Sequence, residues 1–198
     1  MASSAARPLP VIVLTGQSGA GKGTLIERVM ARMPMLKLAV SATTRERRPG
    51  EEDGREYHFL SEGEFQRKVE AGEFLEHVCY VGNRYGTLRE EVERITTGGG
   101  VCVLELEIAG ALSVRDAIPN TITIFITAPI EELERRLRAR ETESSGEIDE
   151  RVAVARQQLE SMDEFDYVIE NRDVETATSE LEAIVKRELN LAGTMSRP

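Results

Sequence analysis

Val11-Ile12-Val13-Leu14-Thr15-Gly16-Gln17-Ser18-Gly19-Ala20-Gly21-Lys22-Gly23-Thr24-Leu25-Ile26 is the stretch from which the fold can be read. An apolar run of strand length enters a glycine-rich loop. From Lys22 the pattern turns helical, with Leu25, Ile26, Val29 and Met30 on one face. Gly16, Gly21 and Lys22 stand at the spacing G-x-x-x-x-G-K between a strand and a helix, the setting this motif requires. Its glycines let backbone N–H groups turn inward around phosphate oxygens. The helix N-terminus adds partial positive charge there, and the lysine supplies a full charge for the outer phosphates. Gly16, Gln17, Ser18, Gly19, Ala20, Gly21, Lys22, Gly23 and Thr24 are therefore expected to hold nucleotide phosphates. Gly23 stands where Ser or Thr usually holds Mg²⁺. A hydroxyl follows one residue later at Thr24, so Thr24 is expected to meet the metal directly or through water.

Outward from this loop, apolar runs near 36–40, 101–106, 121–127 and 167–169 alternate with helical patterns. Pro129, with Glu131 and Glu132 behind it, opens a helix expected to reach 140. An amphipathic helix is expected over 148–162, on Val152, Ala155, Leu159 and Met162. A final helix follows on Ala177, Leu181, Ile184 and Val185. This rhythm predicts an α/β fold: about five parallel strands with helices on both faces. Residues 45–98 break it, reading as a small α+β insertion of short strands. Ser61 with Glu64, and Thr87 with Glu90, have capping-box spacing before two helices in this stretch. Another helix is expected after Gly110. We expect one domain, with core segments 10–44, 99–140 and 148–191, the insertion at 45–98 and a polar, hinge-like lid at about 141–147. In such sheets ligands bind at the C-terminal ends of the strands, where the glycine loop, residues 41–48 and Glu105-Leu106-Glu107 fall.

Composition narrows the function. With 40% hydrophobic and 30% charged residues, the chain fits an ordinary globular protein and not a disordered one. No apolar run approaches the ~20 residues that span a bilayer. Residues 1–10 lack an apolar signal core and read as a loose arm, so a cytoplasmic address is expected. Net charge −10 argues against a nucleic-acid binder, which needs a basic footprint. Anionic small molecules remain compatible, because arginines cluster at Arg45, Arg47 and Arg48 and again from Arg135 to Arg140. Cys79 and Cys102 sit in apolar runs and are expected to be buried free thiols. Cys and His are too few for a zinc site.

Further motifs carry a family resemblance. Ser41-Ala42-Thr43-Thr44-Arg45, Arg48-Pro49-Gly50-Glu51, Gly54 and Tyr57, then Phe74-Leu75-Glu76 and Gly82-Asn83-Arg84-Tyr85-Gly86-Thr87, resemble the GMP-binding segment of guanylate kinases. The resemblance runs in order over about residues 10–190. Lys-Gly-Thr after the loop also occurs in nucleoside-monophosphate kinases. The resemblance implies transfer of the γ-phosphoryl group of ATP to GMP, and to dGMP, with Mg²⁺, in purine nucleotide metabolism and GMP recycling. It implies catalytic roles for Lys22, Arg45, Arg140 and Arg151. Arg136 and Asn171 would join the phosphate loop in binding ATP. Ser41, Arg45, Arg48, Glu51, Tyr57, Glu76, Tyr85, Thr87 and Glu107 would bind GMP. Two positions depart from the family pattern: Ala109 stands where Gln is common, and Glu141 where Gly is common.

The residue types suit that chemistry. Arg45 and Arg48, three apart, can both hold one phosphate with charge-assisted hydrogen bonds. Guanine presents N1–H and N2–H₂ side by side, so a carboxylate accepts from both, and Glu76 is the candidate. Adenine presents an acceptor at N1 and is repelled. A same-build enzyme acting on AMP or another acceptor is the first rival. The second is a peptide-binding scaffold domain, which resembles this fold but typically has a degraded phosphate loop. The expected partners are therefore ATP and GMP, without nucleic acid or membrane.

Overall fold

The computed structural model describes residues 9–80, 82–138 and 145–191, except the side chains of Arg136, Leu137, residues 145–151 and Leu191. Its strands are β1 (Val11–Gly16), β2 (Leu36–Leu38), β3 (Ala42–Thr43), β4 (His58–Phe59), β5 (Phe74–Tyr80), β6 (Asn83–Leu88), β7 (Val101–Glu105), β8 (Thr121–Thr127) and β9 (Tyr167–Glu170). Its helices are α1 (Lys22–Arg32), α2 (Glu62–Glu70), α3 (Arg89–Thr97), α4 (Ile108–Ala117), α5 (Ile130–Arg138), α6 (Ser145–Gln158) and α7 (Val174–Leu191).

The expected parallel sheet is present, in the order β2-β7-β1-β8-β9. Side chains alternate across it with period two. Ile12, Leu14, Val101, Val103, Ile124 and Ile126 enter one core with Leu25, Ile26 and Val29 of α1 and Leu181 and Val185 of α7. Val11, Val13, Cys102, Leu104 and Phe125 enter the other, with Val92 and Ile95 of α3 and Ala111 and Val114 of α4. Burial on both faces explains why these strands read as continuous apolar runs.

A second, mixed sheet runs β4-β3-β6-β5. Its core is small: Ala42, Phe65, Phe74 and Leu88, with the rings of Phe65 and Phe74 stacked at 4.3 Å. The Ser61/Glu64 capping box forms. Ser61 Oγ accepts from the Glu64 N–H at 3.3 Å, and Glu64 Oε2 accepts from the Ser61 N–H at 2.9 Å.

Four local expectations are corrected. Thr87 does not cap α3; it lies in β6 and its hydroxyl donates to Glu76 Oε1 at 2.9 Å, while Leu88 takes the N-cap position without a side-chain bond. The helix expected after Gly110 begins at Ile108 and includes Gly110, whose missing side chain makes room for Glu76. Cys102 is a buried free thiol, its pKa pushed up to about 12 chiefly by burial, but Cys79 is exposed because β5 leaves the core from His77 onward. The helix expected over 148–162 stops at Gln158 and tightens into a 3-10 turn, Leu159–Glu164, where Phe165 N–H donates to Met162 O at 3.4 Å. Among the described residues no helix is long and apolar enough to cross a membrane.

Candidate active site

The phosphate loop leaves the C-terminal end of β1 between β7 and β8. A Cβ at Gly16 would lie 2.0 Å from Ile126 O, so no larger residue fits there without moving the strand β8 backbone. Gly21 takes a left-handed conformation, φ 88°, as the N-cap of α1. Lys22 Nζ curls back over the loop and donates to Gly16 O at 2.9 Å and Gln17 O at 3.2 Å. That geometry brings its charge to the rim on which phosphate oxygens would rest. Thr24 is exposed on the first turn of α1.

The loop is also tied from outside. Gln17, fully buried, donates from Nε2 to Ala155 O of α6 at 3.0 Å. Its Oε1 accepts from the Thr127 hydroxyl at 2.6 Å and the Ala128 N–H at 2.9 Å. Gln158 Oε1 accepts from the Ser18 N–H at 3.1 Å. Asn171, just past β9, donates from Nδ2 to Ala20 O at 2.7 Å.

Facing the loop is a cavity of about 330 Å³, lined by residues of both sheets. Lys22, Glu105 and Glu107 form its core-sheet side; Ser41, Tyr57, Glu76 and Tyr85 form the other. Glu76 is 7% exposed, and burial raises its carboxyl above the ordinary range against the opposing bond from Thr87. A register shift between Phe74 and Glu76 turns three consecutive residues inward: Phe74 to the small core, Leu75 to the main core and Glu76 to the cavity. Tyr57 and Tyr85 meet edge to face at 5.9 Å, and burial raises the Tyr57 hydroxyl's pKa. Arg45 Nη2 donates to Glu51 Oε1 at 2.7 Å, with its guanidinium 5.4 Å from the Tyr57 ring centre. Glu51 Oε2 also accepts the Arg48 N–H at 2.8 Å, and these bonds, that of Arg45 first, hold the Glu51 carboxyl below the ordinary range. Arg48 itself is exposed.

Glu105, the last residue of β7, is exposed as a residue and lines the cavity, but its carboxyl is partly shielded from water. This desolvation raises its carboxyl above the ordinary range, while Lys22 pulls it down and Glu107 pushes it up. A Cβ on Gly23 would stand 3.9 Å from Glu105 Oε2, which places this carboxylate beside the first turn of α1.

The cavity thus gathers Lys22, Ser41, Tyr57, Glu76, Tyr85 and Glu107, with Thr87 bonded to Glu76. Asn171 is buried against Ala20. The Arg136 and Arg151 side chains, Arg140 and Glu141 lie outside the described residues. Sequence reasoning did not single out Gln158 or Thr127, which are polar residues on a helix and a strand without a motif. Gly110 was read as the boundary before a helix, with no sign that it faces Glu76.

A phosphate loop on a five-stranded parallel sheet, opposed by a smaller sheet presenting tyrosines and a buried carboxylate, defines a nucleotide-phosphate kinase. The guanylate kinase family profile matches residues 8–188. The guanylate kinase of Synechococcus sp. (strain JA-3-3Ab) is 48% identical over 176 residues, covering 88% of this chain and 81% of that protein. That of Desulfitobacterium hafniense (strain Y51) is 42% identical over 179 residues, with 90% of each covered. The crystal structure of guanylate kinase from Anaplasma phagocytophilum superposes with TM-score 0.73 at 27% identity, over 96% of this chain and 98% of that one. The chain belongs to the guanylate kinase family. The expected class of enzyme, a phosphotransferase that phosphorylates GMP with ATP, is that of the family.

Proposed function

We propose that the chain transfers the γ-phosphoryl group of ATP to GMP, and to dGMP in the same site, giving ADP and GDP or dGDP. The observation that carries this reading is the buried Glu76 carboxylate, braced by Thr87, in a cavity whose opposite side holds Lys22. A carboxylate accepts from guanine N1–H and N2–H₂ together, and a site so committed rejects an unmatched base by roughly 10⁴-fold. The Ser41 hydroxyl serves O6, and Thr87 joins it by turning its single hydroxyl proton from Glu76 to the base. Arg45 and Arg48, with the Tyr57 and Tyr85 hydroxyls, hold the acceptor phosphate. Arg45 comes to it already aimed by Glu51.

The acceptor oxygen needs no general base, since the second pKa of a phosphate monoester is ~6. The bond from the γ-phosphorus to the β–γ bridging oxygen breaks as the bond to the GMP phosphate oxygen forms, and the electron pair leaves on ADP. Positioning and charge neutralisation carry the rate. The backbone of Gly16 to Thr24 holds the ATP phosphates, and Lys22 follows the charge of the outer ones. Arg136, Arg140 and Arg151 are assigned to the ATP side, with about 141–147 as a lid, 45–98 as the acceptor-binding insertion, and Asn171 near the adenine.

The oxygen donors present fit Mg²⁺. Glu105 lies beside the first turn of α1, where Thr24 carries a hydroxyl, and Glu107 lines the same cavity. Among the described residues no three His, Cys, Asp or Glu converge to hold a metal alone. Mg²⁺ needs only one or two protein oxygens when phosphates and water supply the rest. Held there, Mg²⁺ would supply positive charge against the ATP phosphates. We place the reaction in the cytoplasm, in purine nucleotide metabolism and GMP recycling, with ATP and GMP as partners.

The test is ADP production from MgATP with GMP, dGMP, AMP, UMP and CMP offered separately. Turnover with GMP and dGMP alone supports the reading. Turnover with AMP in their place overturns the Glu76 assignment, and none with any acceptor in a folded, GMP-binding protein favours a binding module.

A further inference from the structure

Gly110 lies inside α4, buried, at a place where nothing in the helix itself calls for glycine. A Cβ built there would stand 2.6 Å from Glu76 Oε2, 3.2 Å from its Cδ and 3.7 Å from its Cγ. Its three nearest neighbours are thus all atoms of one side chain that comes from the other sheet. The Glu76 carboxylate is pinned on two sides: Oε1 takes the Thr87 hydroxyl at 2.9 Å, and Oε2 fills the space of the missing methyl. Glu76 and Thr87 are also cross-strand partners, so β6 fixes one oxygen and α4 the other.

We propose that Gly110 is a positioning residue for base recognition: the notch it leaves in α4 sets where the Glu76 carboxylate stands, and so sets the enzyme's choice of guanine. The inference rests on Glu76 being the guanine reader. The clash is with the tip of a side chain and not with backbone. A methyl at 110 is therefore accommodated by turning the carboxylate away, and the fold is kept. The guanine then loses acceptors for N1–H and N2–H₂, while the phosphate loop on the other side of the cavity is untouched.

The test compares wild type, Gly110→Ala, Glu76→Gln and the double variant in steady-state assays with MgATP and either GMP or AMP. Gly110→Ala is expected to lower kcat/KM for GMP by about 10- to 100-fold, the loss of a charge-assisted hydrogen bond. KM for ATP stays the same, and the melting temperature stays level or rises, because alanine favours the helix. In the Glu76→Gln background Gly110→Ala is expected to add less than about 2-fold, since the two changes act through one group. Unchanged GMP kinetics in Gly110→Ala, or an equal further loss in the Glu76→Gln background, overturns the role of Gly110 while leaving Glu76 in place. If Glu76→Gln alone keeps the preference for GMP over AMP, the reading of Glu76 falls and this inference with it.

Discussion

The parallel sheet that carries the phosphate loop and the mixed sheet that carries Glu76 are built by different means. Long apolar runs bury β1, β7 and β8 on both faces, and the loop between β1 and α1 is riveted from behind by Gln17. The mixed sheet has two-residue strands at β3 and β4, a core of four buried residues among those described, and exposed ion pairs such as Arg55 with Glu52. Surface ion pairs contribute little, so the mixed sheet rests mainly on Phe65 and Phe74. On the proposed assignment the donor side is thus pre-formed and the acceptor side is marginal. Such a division suits an enzyme that must admit a second nucleotide and then exclude water, since elements that move are drawn from the low-stability end.

The largest effect that can break this comparison comes from Phe65→Ala. Removing a fully buried ring is expected to cost about 3–5 kcal/mol. Hydrogen exchange should then show opening across β5 and β6 with β1 and β8 still protected; uniform exchange across both sheets would mean that they unfold as one unit. Next is Lys22→Ala, expected to lower kcat by about 10²–10³-fold with the melting temperature nearly unchanged. Near-normal turnover in that folded variant sinks the role given to Lys22.

Gln17→Leu sharpens the donor side. It leaves the Ala128 N–H and the Thr127 hydroxyl without their acceptor and Ala155 O without its donor, a loss of about 1–3 kcal/mol for an unsatisfied buried group. Denaturant melts should register this together with a higher KM for ATP. A variant as stable as wild type would show that the rivet is dispensable. The smallest effect is one of pH. In its proposed role Glu76 must be ionised to accept from guanine, and burial raises its pKa, so KM for GMP should fall as pH rises through a value above the usual carboxylate range. Stability moves the other way: the contribution of a buried carboxyl with raised pKa is fully present below the ordinary carboxylate pKa and is lost as pH rises from there through the raised one. The GMP phosphate titrates too, so the Glu76→Gln profile serves as reference; identical profiles would remove Glu76 from the binding step.

Val11 to Ile26 determined the centre of the fold without help from the rest of the chain. A strand, a glycine loop and a helix are contiguous there, and local periodicity suffices to read them. The five-strand rhythm was legible for the same reason, and several residues singled out from the sequence line the cavity. Tertiary structure alone decided how those residues work. Thr87 carries the sequence signature of a helix cap, yet its hydroxyl goes to Glu76, because β5 and β6 pair in a register that sets them opposite each other. Gly110 looks like a helix start and is a notch for a carboxylate. Gln17 and Ser18 reach Ala155 and Gln158 across some 140 residues. Local pattern reports what a segment prefers by itself, and these contacts exist only once the two sheets close on each other and buried polar groups must find partners.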